Sequence, residues 1–596
     1  MSILAFLAAC AFGAVFGLMA RPSRPASRLV PLAALLAAFA AALFIGAGTS
    51  QSLGDVTLAG SKYSGLFLAC MAGSALLLCI VALASGWHDE FAPAALATLA
   101  GTAVAVTSTD AGVALIAGAA GATAGALLIT GAAPRAGAVD GRAFEMRAIA
   151  AVSGAMLLGG IAILRPAWTG DSDSPILILA FVGFALAIAI RGGVVPFHVP
   201  AIHLRRSAIP MAPALMLVWI PAGLGLLAVA WSATTFPIQS DTLRTAAACI
   251  EAVGVATLLL GALAALVHDD LDEVVIYSIV ADAGFILLAF AARTDLAAEP
   301  ARLWILVFIA AKTALVAWAA AVSRAYGTSE IGTLRGWLRR TPLLGLALVI
   351  IAIATIGWPG SNVYEARSAL IRMALPSQLQ FVFLASIAVS AAYYVRLLVF
   401  GVLPPSDEIR AGQSERPRLA PAIAMAEVAP SVAAEVVEAA EAVPPVVVSA
   451  APAPETTAAT ASSDAAEAVA AEAVAAEAPG PTSVPHPRSL PAMLRLNKGL
   501  GASLLIVGGA ILAAALASGS LGAGTATRYG IPLDTAAHAT AAPVRTPTPV
   551  PPTPTPRTTL APAASNGPVG SDIPTIAPSG SQAPMKTSAP ARDNTD

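Results

Sequence analysis

The chain has 596 residues, 57% of them hydrophobic and 11% charged, with a formal net charge of −2 and a mean hydropathy of +0.79. Soluble domains carry about 25% charged residues, so this composition excludes an ordinary water-soluble enzyme, and the near-neutral charge leaves no basic footprint for nucleic acid. The four cysteines, Cys10, Cys70, Cys79 and Cys249, lie in apolar runs without CxxC pairing, and no residue cluster has metal-ligand spacing.

The first run, MSILAFLAACAFGAVFGLMA, has signal-peptide length but no basic n-region. Its arginines (Arg21, Arg24, Arg28) follow the apolar stretch, which predicts a retained first membrane helix. Apolar runs near spanning length continue at 28–47, 64–85, 91–107, 111–131, 146–164, 175–197, 211–232, 245–267, 273–292, 302–322, 342–375, 379–400 and 498–517. Judged by a span of roughly 20 residues, the sequence predicts an all-α polytopic membrane protein of about 14 transmembrane helices. Two of them are expected to be broken. The run 175–190 meets Arg191, Gly192, Gly193, Pro196, His198 and Pro200 at membrane depth, and 342–375 contains GWPGSN at 357–362. Glycine and proline loosen a helix, and backbone freed in the bilayer must be shielded by protein or line a wet cavity.

Lys and Arg collect at 21–28, 191–206, 324–340, 396–418 and 488–498. In a 14-helix count these loops share one side, assigned to the cytoplasm of a cell membrane by the positive-inside rule, and both termini fall outside. The expected organisation is a transmembrane bundle over 1–404, an acidic Ala/Glu/Pro-rich disordered cytoplasmic insertion over 405–497, a final helix at 498–517, and an external disordered Thr/Pro-rich tail over 518–596.

Ionisable residues at membrane depth are functional candidates. Lys312 lies near the middle of WILVFIAAKTALVAWAAAV. Arg191 and His198 mark the first break. Arg367 and Glu365 follow the second. Asp272 stands in the acidic entrance HDDLDE (268–273) to a run that also holds Asp282, with Ser278 one turn before it. The entrance reads first as a solvated loop, and Asp282 also as a simple hydrogen-bonding group beside Ser278.

Five segments in order carry a resemblance: RGGVVPFHVP (191–200), LVHDDLDEVVIYSIVADAGFILLAFA (266–291), LRGWLRRTP (334–342), IATIGWPGSNVYEARSAL (353–370) and SIAVSAAYYVRLL (386–398). Over roughly 145–400 the chain resembles the antiporter-like membrane subunits of respiratory complex I and of Mrp-type cation/proton antiporters, most closely the N-type subunit of NADH:quinone oxidoreductase. The first 140 residues match in helix count only. The resemblance implies a proton-translocating membrane-arm subunit coupled to quinone reduction, with other membrane subunits as partners and no cofactor on this chain.

The departures from the family pattern are chemical. The seventh-helix lysine falls on Arg191, and the lysine of the second broken helix falls on Arg367. The eighth-helix lysine falls near Pro221, the fifth-helix glutamate has no counterpart in 111–131, and a Lys-Arg pair becomes Asp272 and Glu273. His198 is kept, and Lys312 matches a lysine of some other members. A buried lysine can shed its proton because desolvation disfavours the charged form; arginine effectively cannot. Two readings follow: a subunit conducting protons by an altered route, in a complex I-like or Mrp-like assembly, or a non-conducting structural paralogue in such an assembly.

Overall fold

The computed structural model describes residues 2–85, 91–131, 175–199, 201, 210–236, 241–404 and 490–534. The described residues form a mostly helical membrane bundle with ten helices long and apolar enough to span a bilayer, and three shorter apolar helices at Phe91–Thr107, Leu177–Arg191 and Pro342–Ile356. The expected span at 146–164 lies outside the described residues, as do most of the insertion and the tail beyond 534.

In chain order the helices are α1 (Ser2–Met19), α2 (Arg24–Ala42), α3 (Lys62–Ser85), α4 (Phe91–Thr107), α5 (Ala111–Gly131), α6 (Pro175–Arg191) and α7 (Ile220–Thr235). They continue as α8 (Asp241–Val267), α9 (Leu271–Ala291), α10 (Asp295–Tyr326), α11 (Pro342–Ile356), α12 (Asn362–Ala374), α13 (Phe381–Val402) and α14 (Leu490–Ser518). Their ends follow local chemistry. The Asp270 side chain accepts from the Asp272 and Glu273 amides to start α9, Thr294 accepts from Leu296 to start α10, and Gly327 closes α10 at φ +71°.

The helix α9 is the centre of the bundle, buried over its whole length, and α10 beside it is almost as enclosed. Lipid offers no hydrophobic force between helices, so close packing at small residues has to hold them. A Cβ on Gly261 of α8 would lie 2.9 Å from Ala281 Cα on α9, and one on Gly101 of α4 would lie 2.5 Å from Gly121 Cα on α5. At the periphery, Phe12, Phe16, Leu29 and Leu36 of α1 and α2 stay exposed, as lipid-facing residues do.

Both sequence-expected breaks are present. After Arg191, Gly193 turns the chain at φ +61°, and the Val194 amide donates back to the Ala189 carbonyl at 2.8 Å. At the second break, Gly357 (φ +74°) and Gly360 (φ +90°) separate α11 from α12, and the Ser361 hydroxyl caps α12 by accepting from the Tyr364 amide at 3.3 Å. A third irregularity is new. Residues Ala214–Trp219 form a π-helical turn in which the Ile220 amide reaches back to Leu215. Pro221 two residues later has no amide and crowds the carbonyl a turn behind; a wide turn is one way a helix relieves such a defect.

Two expectations need correction. The fold is not purely helical: Ser50–Leu53 and Val56–Ala59 pair as a hairpin. Its two-residue turn, Gly54–Asp55, has Gly54 at φ +64°, a hairpin signal. The tail also does not begin at 518. Residues 519–534 fold back on the bundle, with Ala523, Thr527, Ile531 and Leu533 buried.

Candidate functional site

Ser278 and Asp282 stand one turn apart on α9, so they share a face. Lys312, on α10, reaches that face from a fully buried position. Its Nζ donates to Ser278 Oγ at 2.6 Å and meets Asp282 Oδ2 at 2.5 Å, an ion-pair contact off the hydrogen-bond direction. Behind them, the Ser278 and Tyr393 hydroxyls lie 3.0 Å apart, and the Tyr393 and Tyr394 rings pack with centroids at 4.5 Å.

Arg367 faces Asp282 from the other side, Nη2 to Oδ1 at 3.8 Å. Its guanidinium lies against the rings of Phe285, at 4.6 Å, and Trp304, at 5.2 Å. Nη1 donates to the Thr355 carbonyl at 2.7 Å and to the Ile356 carbonyl at 3.0 Å. These are last-turn carbonyls of α11, which a broken helix leaves without intrahelical partners. Arg367 therefore caps the break as well as facing the acid. One carboxylate thus stands between two cations in a fully enclosed setting.

A second group sits toward the α9 N-terminus. The His198 ring lies 6.2 Å from Tyr277, and the His268 ring 4.6 Å from it on another side. His268 Nδ1 is 2.8 Å from the Ala264 carbonyl, and its Nε2 is 3.8 Å from Glu273. His198 Nδ1 is buried without a hydrogen-bond partner among the described residues. Arg396 gathers the end of α8, donating to the Leu266 and His268 carbonyls and pairing with Asp269. Among the described residues, no three His, Cys, Asp or Glu converge as a metal site.

The comparisons with known proteins agree with this architecture. Residues 146–392 match the family model described as NADH:quinone oxidoreductase/Mrp antiporter, transmembrane. Relatives include an NADH-quinone oxidoreductase subunit N of Anoxybacillus flavithermus, 25% identical over 44% of this chain and 53% of that one. Another, of Acidothermus cellulolyticus, is 30% identical over 38% of this chain and 44% of that one. Among solved structures, the Mrp complex from Dietzia sp. aligns at a TM-score of 0.56 and 18% identity, covering 68% of this chain and 47% of that one. Respiratory complex I from Thermus thermophilus with bound NADH aligns at 0.55 and 20%, covering 67% and 89%.

Over residues 146–392 the chain is similar to antiporter-like membrane subunits. It spans about half the length of the curated relatives it matches.

The seven candidate residues separate clearly. Lys312, Asp282 and Arg367 form one cluster. Arg191 is fully buried at the end of α6. The glycines after it approach α9 at Val280 and Ala283, so the first break leans on the segment that carries Asp282. His198 belongs to the Tyr277 group. Asp272 stays in the first turn of α9, an acid at a helix N-terminus. Glu365 is exposed on α12. Tyr393, the Ser278 hydroxyl bridge and the Tyr277–His268 contact escape sequence reading. The spacing of Ser278 and Asp282 is the one local signal that pointed to them.

Proposed function

We propose that this chain is an N-type antiporter-like subunit of an NADH:quinone oxidoreductase-type assembly, and that it contributes to proton translocation through Lys312. The observation that carries the proposal is the position of Lys312: fully buried, paired with Asp282, and hydrogen-bonded to a hydroxyl relay of Ser278 and Tyr393. In this reading Lys312 gives its proton to that relay and regains one from water on the other side. Arg367 stays charged throughout and keeps a positive partner beside Asp282 while Lys312 is neutral. Redox chemistry is assigned to other chains of the assembly.

The topology belongs to the same proposal: fourteen spans in a cell membrane, the insertion cytoplasmic, both termini external. The basic loops support it.

Arginine at positions 191 and 367 favours a second reading, a non-conducting structural subunit, and the likeness to the Mrp complex supports an antiporter assembly as the alternative host. Proton flux in vesicles containing the intact assembly decides between conduction and scaffolding. Conduction requires that Lys312→Arg and Lys312→Met both abolish flux while the assembly persists, and that Arg191→Lys leaves flux unchanged or higher. Robust flux in Lys312→Arg refutes the carrier role.

A further inference from the structure

The π-helical turn Ala214–Trp219 is buried throughout and packs against α10. Its last residue, Trp219, donates its indole N–H to Thr313 Oγ1 of α10 at 2.9 Å. Thr313 directly follows Lys312 in the chain, and all three side chains are fully enclosed. The turn is itself braced. Leu217 lies so near the first break that a Cβ on Gly193 would meet its Cδ2 at 3.7 Å. The Phe91 ring of α4 stands 6.0 Å from the Trp219 ring. One residue added to a helical turn swings the face by about 100°, so the wide turn sets the direction in which Trp219 leaves it.

A helix is stiff in cross-section, so a tie on one face fixes the aim of another. Lys312 and Thr313, as consecutive residues, point about 100° apart around α10. Lys312 uses its face to reach Ser278 at 2.6 Å and Asp282. The Nζ of an extended lysine stands roughly 8 Å from the helix axis, so a rotation of about 10° displaces it by roughly 1.4 Å. That is enough to take the Ser278 contact out of hydrogen-bond range. Close packing around the enclosed side chain leaves it little room to compensate. Other ties hold α10 at a distance from this level. Trp304, earlier in the helix, packs its ring on Phe285 at 5.1 Å, and Trp318, later in it, donates to the Leu344 carbonyl at 2.9 Å.

We propose that Trp219 is a positioning residue for Lys312: its hydrogen bond to Thr313 sets the rotation of α10 at which the Lys312 ammonium meets Ser278 and Asp282. What the positioned ammonium then does rests on the carrier role given above; the positioning does not. Thr313 and Ser278 do not bond to each other, and Lys312 is the residue that joins them.

A double-mutant cycle on reversible unfolding in mixed detergent tests this without any need for flux. Thr313→Val keeps the shape of the side chain and removes the acceptor. It is expected to raise the unfolding equilibrium constant about tenfold when Ser278 is present, as a lost buried hydrogen bond does. In Ser278→Ala the same change is expected to raise it threefold or less, because the contact that depended on the aim is already gone. Independent sites add to within about a factor of two. Trp318→Phe, which deletes the tie to Leu344, serves as the control and should cost the same factor in both backgrounds. Equal factors for Thr313→Val in the two backgrounds overturn the proposal, and so does a coupling to Ser278 that Trp318→Phe shows as strongly. If Thr313→Val does not fold, Trp219→Phe, which removes the donor and keeps a ring, takes its place in the cycle. In vesicles containing the intact assembly, Thr313→Val should lower proton flux severalfold and move the pH at which flux is half-maximal, and Thr313→Ser, which keeps the hydroxyl, should restore both. An unchanged flux and pH profile in Thr313→Val, where Lys312→Arg is inactive, overturns the positioning role. Coupling in the unfolding cycle together with robust flux in Lys312→Arg refutes the carrier role and leaves the positioning standing.

Discussion

Neutralising Asp282 removes the single acid between two buried cations. In Asp282→Asn, Lys312 and Arg367 face each other across an amide, with both charges fully enclosed. The Arg367 pair alone, at 3.8 Å, is worth about 4 kcal/mol of attraction at an effective dielectric constant of about 20, and the Lys312 contact is closer. Part of that loss is recovered by relaxation, and removing one partner of a buried ion pair typically costs about 3–5 kcal/mol. Lys312→Met is different. It leaves Asp282 paired with Arg367, so the cluster becomes neutral, and what is lost is one ion-pair contact and the hydrogen bond to Ser278. About 1–2 kcal/mol is the expected cost, near that of a single hydrogen bond involving a charged group. The assay is reversible unfolding in mixed detergent, with both variants compared at one temperature. Equal destabilisation by the two substitutions would refute this account, because it would mean that Arg367 does not hold Asp282 when Lys312 is gone.

Gly261→Val places a side chain where Cβ alone meets α9 backbone at 2.9 Å; the same unfolding assay should show a loss of about 1–3 kcal/mol, and no measurable change would remove the close α8–α9 seam from the argument. Deleting 425–480, a stretch poor in aromatic and large aliphatic residues, should leave insertion and solubilised yield intact, and a collapse in folded yield would show that it has a structural role. Ser463→Cys and Thr553→Cys should label from opposite faces of the membrane in intact cells; labelling from one face would overturn the fourteen-span topology.

Much of the bundle was legible because bilayer spans are a compositional signal and because breaks need Gly and Pro, which is how Arg191–Pro196 and Gly357–Ser361 stood out. The pairing of Lys312 with Asp282 was not. The two residues lie on consecutive helices, and which faces of α9 and α10 meet depends on glycine contacts with α8 and on packing by α12. No local periodicity records that geometry. Arg367 was flagged for its charge, but its hydrogen bonds to the Thr355 and Ile356 carbonyls arise only once the helix is broken and turned back. The return at 519–534 was hidden for another reason. Its composition, GSLGAGTATRYGIPLD, reads as linker, and its order comes from partners such as Ser61 and Arg302, hundreds of positions away in the chain.

The enclosure of α9 has a mechanical consequence. Every residue from Leu271 to Ala291 except the first-turn acids is buried, so this helix has no free side on which to tilt or slide. Its one glycine is already in contact with backbone on α8: a Cβ on Gly284 would lie 2.8 Å from the Gly254 carbonyl. A change of charge at Asp282 must then be absorbed by rotation of the Lys312 and Tyr393 side chains and by the two broken helices, whose glycine turns are the compliant parts nearby. The centre of the bundle acts as a fixed post, and whatever moves in this protein moves around it.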